Sequence, residues 1–157
     1  MGEFNTNIVA EFTPPKTWVL EKALSFQTEE LNDNDIQILK VIGANVQDTG
    51  KGTGKITCKK GMKTDLASTP RILWNLIAPW DVARAAIIHD HLYAALRMYW
   101  HTGAPFDKSV WKAGRELSDK IFLLGMKSAE PKVSSWKIYS AYWAVRVFGR
   151  WPASANE

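Results

Sequence analysis

Residues 85–93 read AAIIHDHLY, an apolar helical run that carries His89, Asp90 and Tyr93 within five positions. An imidazole suits acid–base work near pH 7, a carboxylate suits a cation or a proton, and a phenol supplies a hydrogen bond. On a helix His89 and Tyr93 share a face, whereas Asp90 projects about 100° further round. Ala85 and Ala86 lie one turn before His89, so small side chains are expected to leave space beside the ring. A second carboxylate, Asp119, falls inside GRELSDKIFLLGM, next to Ile121, Phe122 and Leu123. Burying it there is costly unless another group hydrogen-bonds or neutralises it, and an antiparallel helix carrying His89 would do so. The expected site is one hydrogen-bonded cluster of His89, Tyr93 and Asp119 between two helices.

Several chemistries compete for these residues. A metal phosphohydrolase of the His…His-Asp…Asp type needs a His upstream of the pair, but the three histidines are 89, 91 and 101. Zinc held by His89 and His91 fails on geometry, because positions i and i+2 of a helix point in nearly opposite directions. A serine hydrolase would carry a G-x-S-x-G elbow, and none occurs. A calcium-assisted hydrolase in which His activates water needs only the residues present. Against all of these stands a plain alternative, in which the His and Asp are structural and Asp90 faces solvent.

The elements that must position these residues divide the chain in two. In the first half NIVAEFT, WVLEKALSFQ, DIQILKVIGA and GKITCKKG mix β-branched and aromatic residues with partial alternation, and they predict strands. QDTGKGTGK (47–55) lacks the spacing of a phosphate-binding loop and predicts a hairpin turn. In the second half STPRILWNLIA opens with a Ser/Thr cap and a first-turn Pro70. Helices follow over about 81–99 with Asp81 as N-cap, about 108–127, and about 134–148, the last stopped by Gly149 and Pro152. The expected class is α+β: a small antiparallel N-terminal sheet followed by three or four packed helices. It forms one domain over 1–157, strand-rich over 8–60 and helical over 69–149.

Composition narrows the partners. Hydrophobic residues make up 46% and charged residues 23% of 157, ordinary for a globular fold. Cys58 is the only cysteine, which excludes a disulfide framework and fits a reducing compartment. A net charge of +4 without a dense Lys/Arg tract argues against nucleic acid as the partner. The N-terminus shows no signal peptide, and ILWNLIAPW (72–80) is too short to span a bilayer, so synthesis in the cytoplasm is expected. Eight Trp is a high count; most are expected in the core, although Trp also favours membrane–water interfaces. The apolar segment PRILWNLIAPW is the place where an exposed surface near the site mouth would be sought.

Two resemblances add to this reading. GMKTDLASTPR, AAIIHDHLY, SDKIF and YWAVRVFG, in that order over residues 61–149, resemble a phage-encoded family defined only as a domain of unknown function. H-D-x-x-Y on one helix, with a later Asp on an antiparallel helix, is similar to phospholipase A2, in particular the phospholipase domain of parvovirus capsids. There too an Ala-rich lead precedes the His-Asp pair, and the distal Asp is followed three residues on by Phe, as Asp119 is by Phe122. The resemblance implies His89 as general base, Asp119 as the carboxylate orienting it, Tyr93 as a hydrogen-bond partner, and Asp90 as a ligand of Ca2+. The glycine-rich calcium loop of that family is absent, and KTDLASTPR stands in its place. Calcium takes 6–8 oxygen ligands, so Asp65, Ser68 and backbone carbonyls of 64–69 are the candidates to join Asp90.

Three functions follow. One is a phage-encoded, phospholipase A2-like lipid esterase acting at a membrane lipid surface or cell envelope. Another is a non-catalytic virion or host-interaction protein, with other virion proteins as partners. The third is a hydrolase of another envelope substrate such as peptidoglycan or a phosphoester.

Overall fold

The computed structural model describes residues 2–50, 52–64 and 79–154, of which 79–81 by backbone alone. Among the described residues seven strands precede most of the helices. They are β1 (Glu3–Phe4), β2 (Ala10–Thr13), β3 (Thr17–Leu20), β4 (Leu24–Thr28), β5 (Val46–Asp48), β6 (Gly54–Cys58) and β7 (Lys63–Thr64). They form a four-stranded sheet in the order β1-β4-β6-β5 and a three-stranded sheet in the order β2-β3-β7, with every pairing antiparallel. The helices are α1 (Asp33–Val41), α2 (Pro79–Thr102), α3 (Lys108–Lys127), α4 (Ser135–Phe148) and α5 (Arg150–Ser154). The expected α+β arrangement is the one observed.

The 47–55 connector is a hairpin turn. Thr49 N–H donates to the Thr53 carbonyl at 2.9 Å, and Gly50 and Gly52 both take positive φ, which a side chain would resist. WVLEKALSFQ splits into β3 and β4 around a bend at 21–23. DIQILKVIGA, expected as a strand, is instead helix α1. Its β-branched residues favour a strand, but Asn32 Oδ1 accepts from Asp35 N–H at 2.8 Å while the Asp35 carboxylate accepts from Asn32 N–H at 3.2 Å. That reciprocal capping box starts a helix, and Ile36 and Leu39, three apart, then turn to the core.

The core lies between the four-stranded sheet and α2. Phe26 and Ile56 from the sheet and Ile87, Leu92 and Leu96 from α2 are at most 1% exposed; burying each such side chain stabilises by roughly 1.5–3 kcal/mol. Between Val82 and Leu96 every α2 side chain is at least half-buried, so this helix is surrounded on all sides. Helix α3 runs antiparallel to it. A Cβ at Gly125 would stand 2.9 Å from that of Ala85, and one at Gly114 would stand 3.2 Å from Leu96 Cδ2, so glycine at both positions lets the helices close. Asp81, expected as an N-cap, lies inside α2, and the last helix does not end the fold. After Gly149 the chain forms α5, which Arg97 ties to α2 by donating to the Pro152 carbonyl at 3.1 Å. No helix among the described residues is long and apolar enough to cross a membrane.

The expectation that most Trp are buried fails. Of the six whose side chains are described, Trp111 is buried and Trp18 and Trp100 are intermediate. Trp136, Trp143 and Trp151 are 59%, 62% and 69% exposed. Ile138, Ala141 and Val145 are the buried side chains of α4, with Tyr142 and Ala144 packed half-buried beside them, because one face of the helix is enough to cover α3. PRILWNLIAPW, for which an exposed surface was considered, lies outside the described side chains.

Candidate functional site

Helix α2 places His89 and Tyr93 on the face toward α3, and α3 places Asp119 opposite them. His89 Nε2 meets Asp119 Oδ1 at 2.9 Å, and Tyr93 Oη donates to the same oxygen at 2.7 Å. His89 is 2% exposed, and Tyr93 and Asp119 are fully buried. The imidazole lies between Tyr93, with ring centroids 4.0 Å apart, and Phe122, at 4.8 Å. The space expected beside it is therefore taken up by rings. Ala85 and Ala86 instead serve the close approach of α2 to α3 and pack with Phe122 and Met126.

Asp119 is held by one partner the sequence reading did not name. Arg146, from α4, donates from Nη1 to Asp119 Oδ2 at 2.9 Å and reaches Glu116 at 3.3 Å. Burial by itself would raise the Asp119 pKa. Hydrogen bonds from His89, then from Tyr93 and Arg146, outweigh it and hold the carboxyl below its ordinary range. Burial pushes the Tyr93 phenol up, and the charge of Asp119 pushes it further, so it stays a donor. Burial alone would lower the Arg146 pKa, but its bond to Asp119 and the charges of Asp119 and Glu116 raise it. Asp119 is thus an ionised, acceptor-only group.

That fixes the imidazole. A carboxylate that can only accept requires the proton of His89 to sit on Nε2, which leaves the lone pair of the neutral ring on Nδ1. Among the described residues no hydrogen bond reaches Nδ1. The arrangement of base, orienting carboxylate and supporting phenol can take a proton from water.

Asp90 points elsewhere. The β3–β7 pairing brings Thr64 to it, opposite Trp18, and Thr64 Oγ1 donates to Asp90 Oδ2. Asp90 is 7% exposed, so the alternative in which it faces solvent does not hold. His91 turns away from His89 and accepts from the Asn45 N–H at 3.1 Å, while burial lowers its pKa; the two histidines do not converge on a metal. Asp65 and Ser68 lie outside the described residues. Among the described residues no group of three or more His, Cys, Asp or Glu could hold a metal ion. Asp90 and Thr64 alone supply too few oxygens for calcium, so the described residues do not form its site.

The end of α4 closes over the cluster. A side chain at Gly149 would overlap Tyr93 Oη, so the glycine there makes room for the phenol. Arg115 donates to the carbonyls of Arg146 and Val145, the latter at 3.4 Å, which holds the C-terminus of α4 against α3.

No curated protein and no solved structure matches the chain. A family match does cover residues 42–145, a span that holds His89, Asp90, Tyr93 and Asp119 and stops just short of Arg146. It takes in well over half of the 157 residues, and the chain belongs to the family described as "Protein of unknown function (DUF1353)".

Proposed function

We propose that this chain is a phospholipase A2-like hydrolase of lipid esters, in which His89 Nδ1 takes a proton from water as that water attacks the ester carbonyl. The observation that carries the reading is the orientation of the ring: Asp119 Oδ1 receives both His89 Nε2 and Tyr93 Oη, so Nδ1, which no hydrogen bond reaches among the described residues, is the basic atom. Asp119 stabilises the imidazolium that forms, and Arg146 keeps the carboxylate ionised throughout. The resemblance of the TDLAS-P, HD-x-LY and SD-x-x-F blocks to phage proteins supports a phage or prophage origin, with the host envelope as the lipid source and other virion proteins as possible company.

The phospholipase A2 resemblance implies Ca2+ as the ion that would polarise the ester carbonyl, with Asp90 as its ligand and Asp65 and Ser68 as the candidates beside it.

A second reading has its own support. His89 is 2% exposed and both Asp119 oxygens are engaged, which suits a structural cluster in a non-catalytic protein. Fatty-acid release from mixed phospholipid vesicles, with calcium and with a chelator, separates the two. The hydrolase reading expects release by the wild type and none by His89→Gln at equal thermal stability. Release that His89→Gln retains, or none under any condition while the protein is folded, supports the structural reading. Peptidoglycan and phosphodiester substrates run in parallel test the third function.

A further inference from the structure

A second constellation lies toward the N-terminal end of α3, where Trp111 and Arg115 stand two turns and one turn before Asp119 on the same face. Trp100 of α2, Lys108, Trp111, Lys112 and Arg115 of α3, and Arg150 of α5 line a cavity of about 360 Å³. Four cations surround it, and among the described residues no carboxylate lines it. The neighbouring acids are committed elsewhere: Asp107 Oδ1 caps α3 through the Ser109 and Val110 N–H groups, and Glu116 pairs with Arg146. Among the described residues none of the four cations forms an ion pair.

Two lining residues also carry buried donors that lack a partner, Trp111 Nε1 and Arg115 Nε. Trp111 is 3% exposed, so its indole N–H is withheld from bulk water as well. Buried donors are ordinarily satisfied, and an orphaned one needs an explanation. Like charges gathered around a cavity repel one another unless an anion sits among them. Both anomalies have the same remedy.

We infer that this cavity is a binding site for a phosphate-bearing anion. A phosphate offers several acceptor oxygens and up to two charges, matching a ring of Lys and Arg with indole and guanidinium N–H donors. The cavity exceeds one phosphate group, and Trp100 and Trp111, packed edge to face at 4.9 Å, give the remainder an apolar wall. Two sources share this chemistry, a free phosphate or phosphomonoester and the headgroup of an anionic phospholipid. The headgroup gains support from the surroundings: Arg150 adjoins the exposed Trp151, and Trp136, Trp143 and Trp151 stand out on α4 and α5. The segment 131–154 contains Lys132, Lys137, Arg146 and Arg150 and no Asp or Glu. Exposed Trp flanked by cations is the composition of a surface that lies in a lipid headgroup layer. This inference goes beyond the hydrolase reading and does not rest on it, because binding is measured without turnover.

The test uses orthophosphate, followed by calorimetry, and vesicles of phosphatidylcholine with and without phosphatidylglycerol, followed by co-sedimentation. Lys112→Ala/Arg150→Ala removes two exposed cavity cations and is expected to weaken binding at least tenfold with an unchanged melting temperature. Lys16→Ala/Lys22→Ala removes the same charge outside both the cavity and the 131–154 surface and is expected to cost under threefold. Trp111→Phe keeps a ring, deletes the N–H, and is expected to weaken binding several-fold. Cavity-dependent binding of orthophosphate assigns the free anion; cavity-dependent binding of phosphatidylglycerol vesicles alone assigns the headgroup. Failure of the wild type to bind either probe, or equal losses in the two double variants, overturns the site.

Discussion

Replacing Asp119 by Asn changes one atom and removes the charge on which the cluster turns. Wild-type Asp119 accepts from His89 Nε2 at 2.9 Å and Tyr93 Oη at 2.7 Å on one oxygen, and from Arg146 Nη1 at 2.9 Å on the other. Asn keeps one acceptor. With its oxygen toward His89 and Tyr93, its amide N–H faces the Arg146 N–H, donor against donor; flipped, it faces the other two donors instead. Breaking a buried ion pair from one side costs about 3–5 kcal/mol, and about 2–4 kcal/mol is expected here because Arg146 keeps partial solvent contact and Glu116. For a domain of this size that corresponds to a fall in Tm of roughly 5–15 °C. The pH dependence has a definite sign. Asp119 is held below its ordinary value of 3.8, so its share of stability is present above that value and is lost as pH falls through the lower folded pKa. Thermal melts followed by circular dichroism should show the wild-type advantage at pH 6 and its shrinkage below about pH 3.8. Arg146→Met added to Asp119→Asn should recover part of the loss, since it removes the stranded cation. A Tm change under about 2 °C at pH 6, or a gap that does not close in acid, would refute the role assigned to this carboxylate.

Further tests address the neighbours. Cys58 is fully buried, and burial, with the charge of Asp90, pushes its thiol up to about 12, so the native protein should resist thiol reagents at pH 8 and react once denatured. Gly149→Ala should displace Tyr93 from Asp119 and destabilise by about 1–3 kcal/mol, measured by urea titration; a neutral effect would show that the phenol can move freely. Burial holds His91 below its ordinary 6.5, so the folded protein should lose stability as pH drops from 6.5 toward 5. His91→Gln should flatten that part of the profile in melts taken across the same range.

The helical half was legible because its signals are local. Asp107 and Lys127 mark the ends of α3 by side-chain chemistry alone, and an Asp among Ile121, Phe122 and Leu123 announced a buried polar partner. Arg146 carried a readable signal that went unused: a buried carboxylate needs a counter-charge, and YWAVRVF on the next antiparallel helix holds one. Thr64 could not have been found in this way, since it reaches Asp90 only through the non-local β3–β7 register. Helix α1 reads as a strand because its β-branched residues mask the Asn32–Asp35 capping box that starts it. The exposed Trp of α4 were misread because composition does not reveal that the helix covers α3 with one face only.

The overlap between Tyr93 Oη and the place of a residue-149 Cβ also constrains how the chain can vary. A hydroxyl at 93 forbids a side chain at 149, so the two positions should change together across related chains. Members keeping the phenol should keep the glycine, and a larger residue at 149 should appear only where the phenol is lost and the Val145 carbonyl beside it has also shifted. Such paired variation would record selection on the hydrogen bond to Asp119, because the hydroxyl makes the closest approach to position 149, ahead of the Val145 carbonyl and the ring carbon.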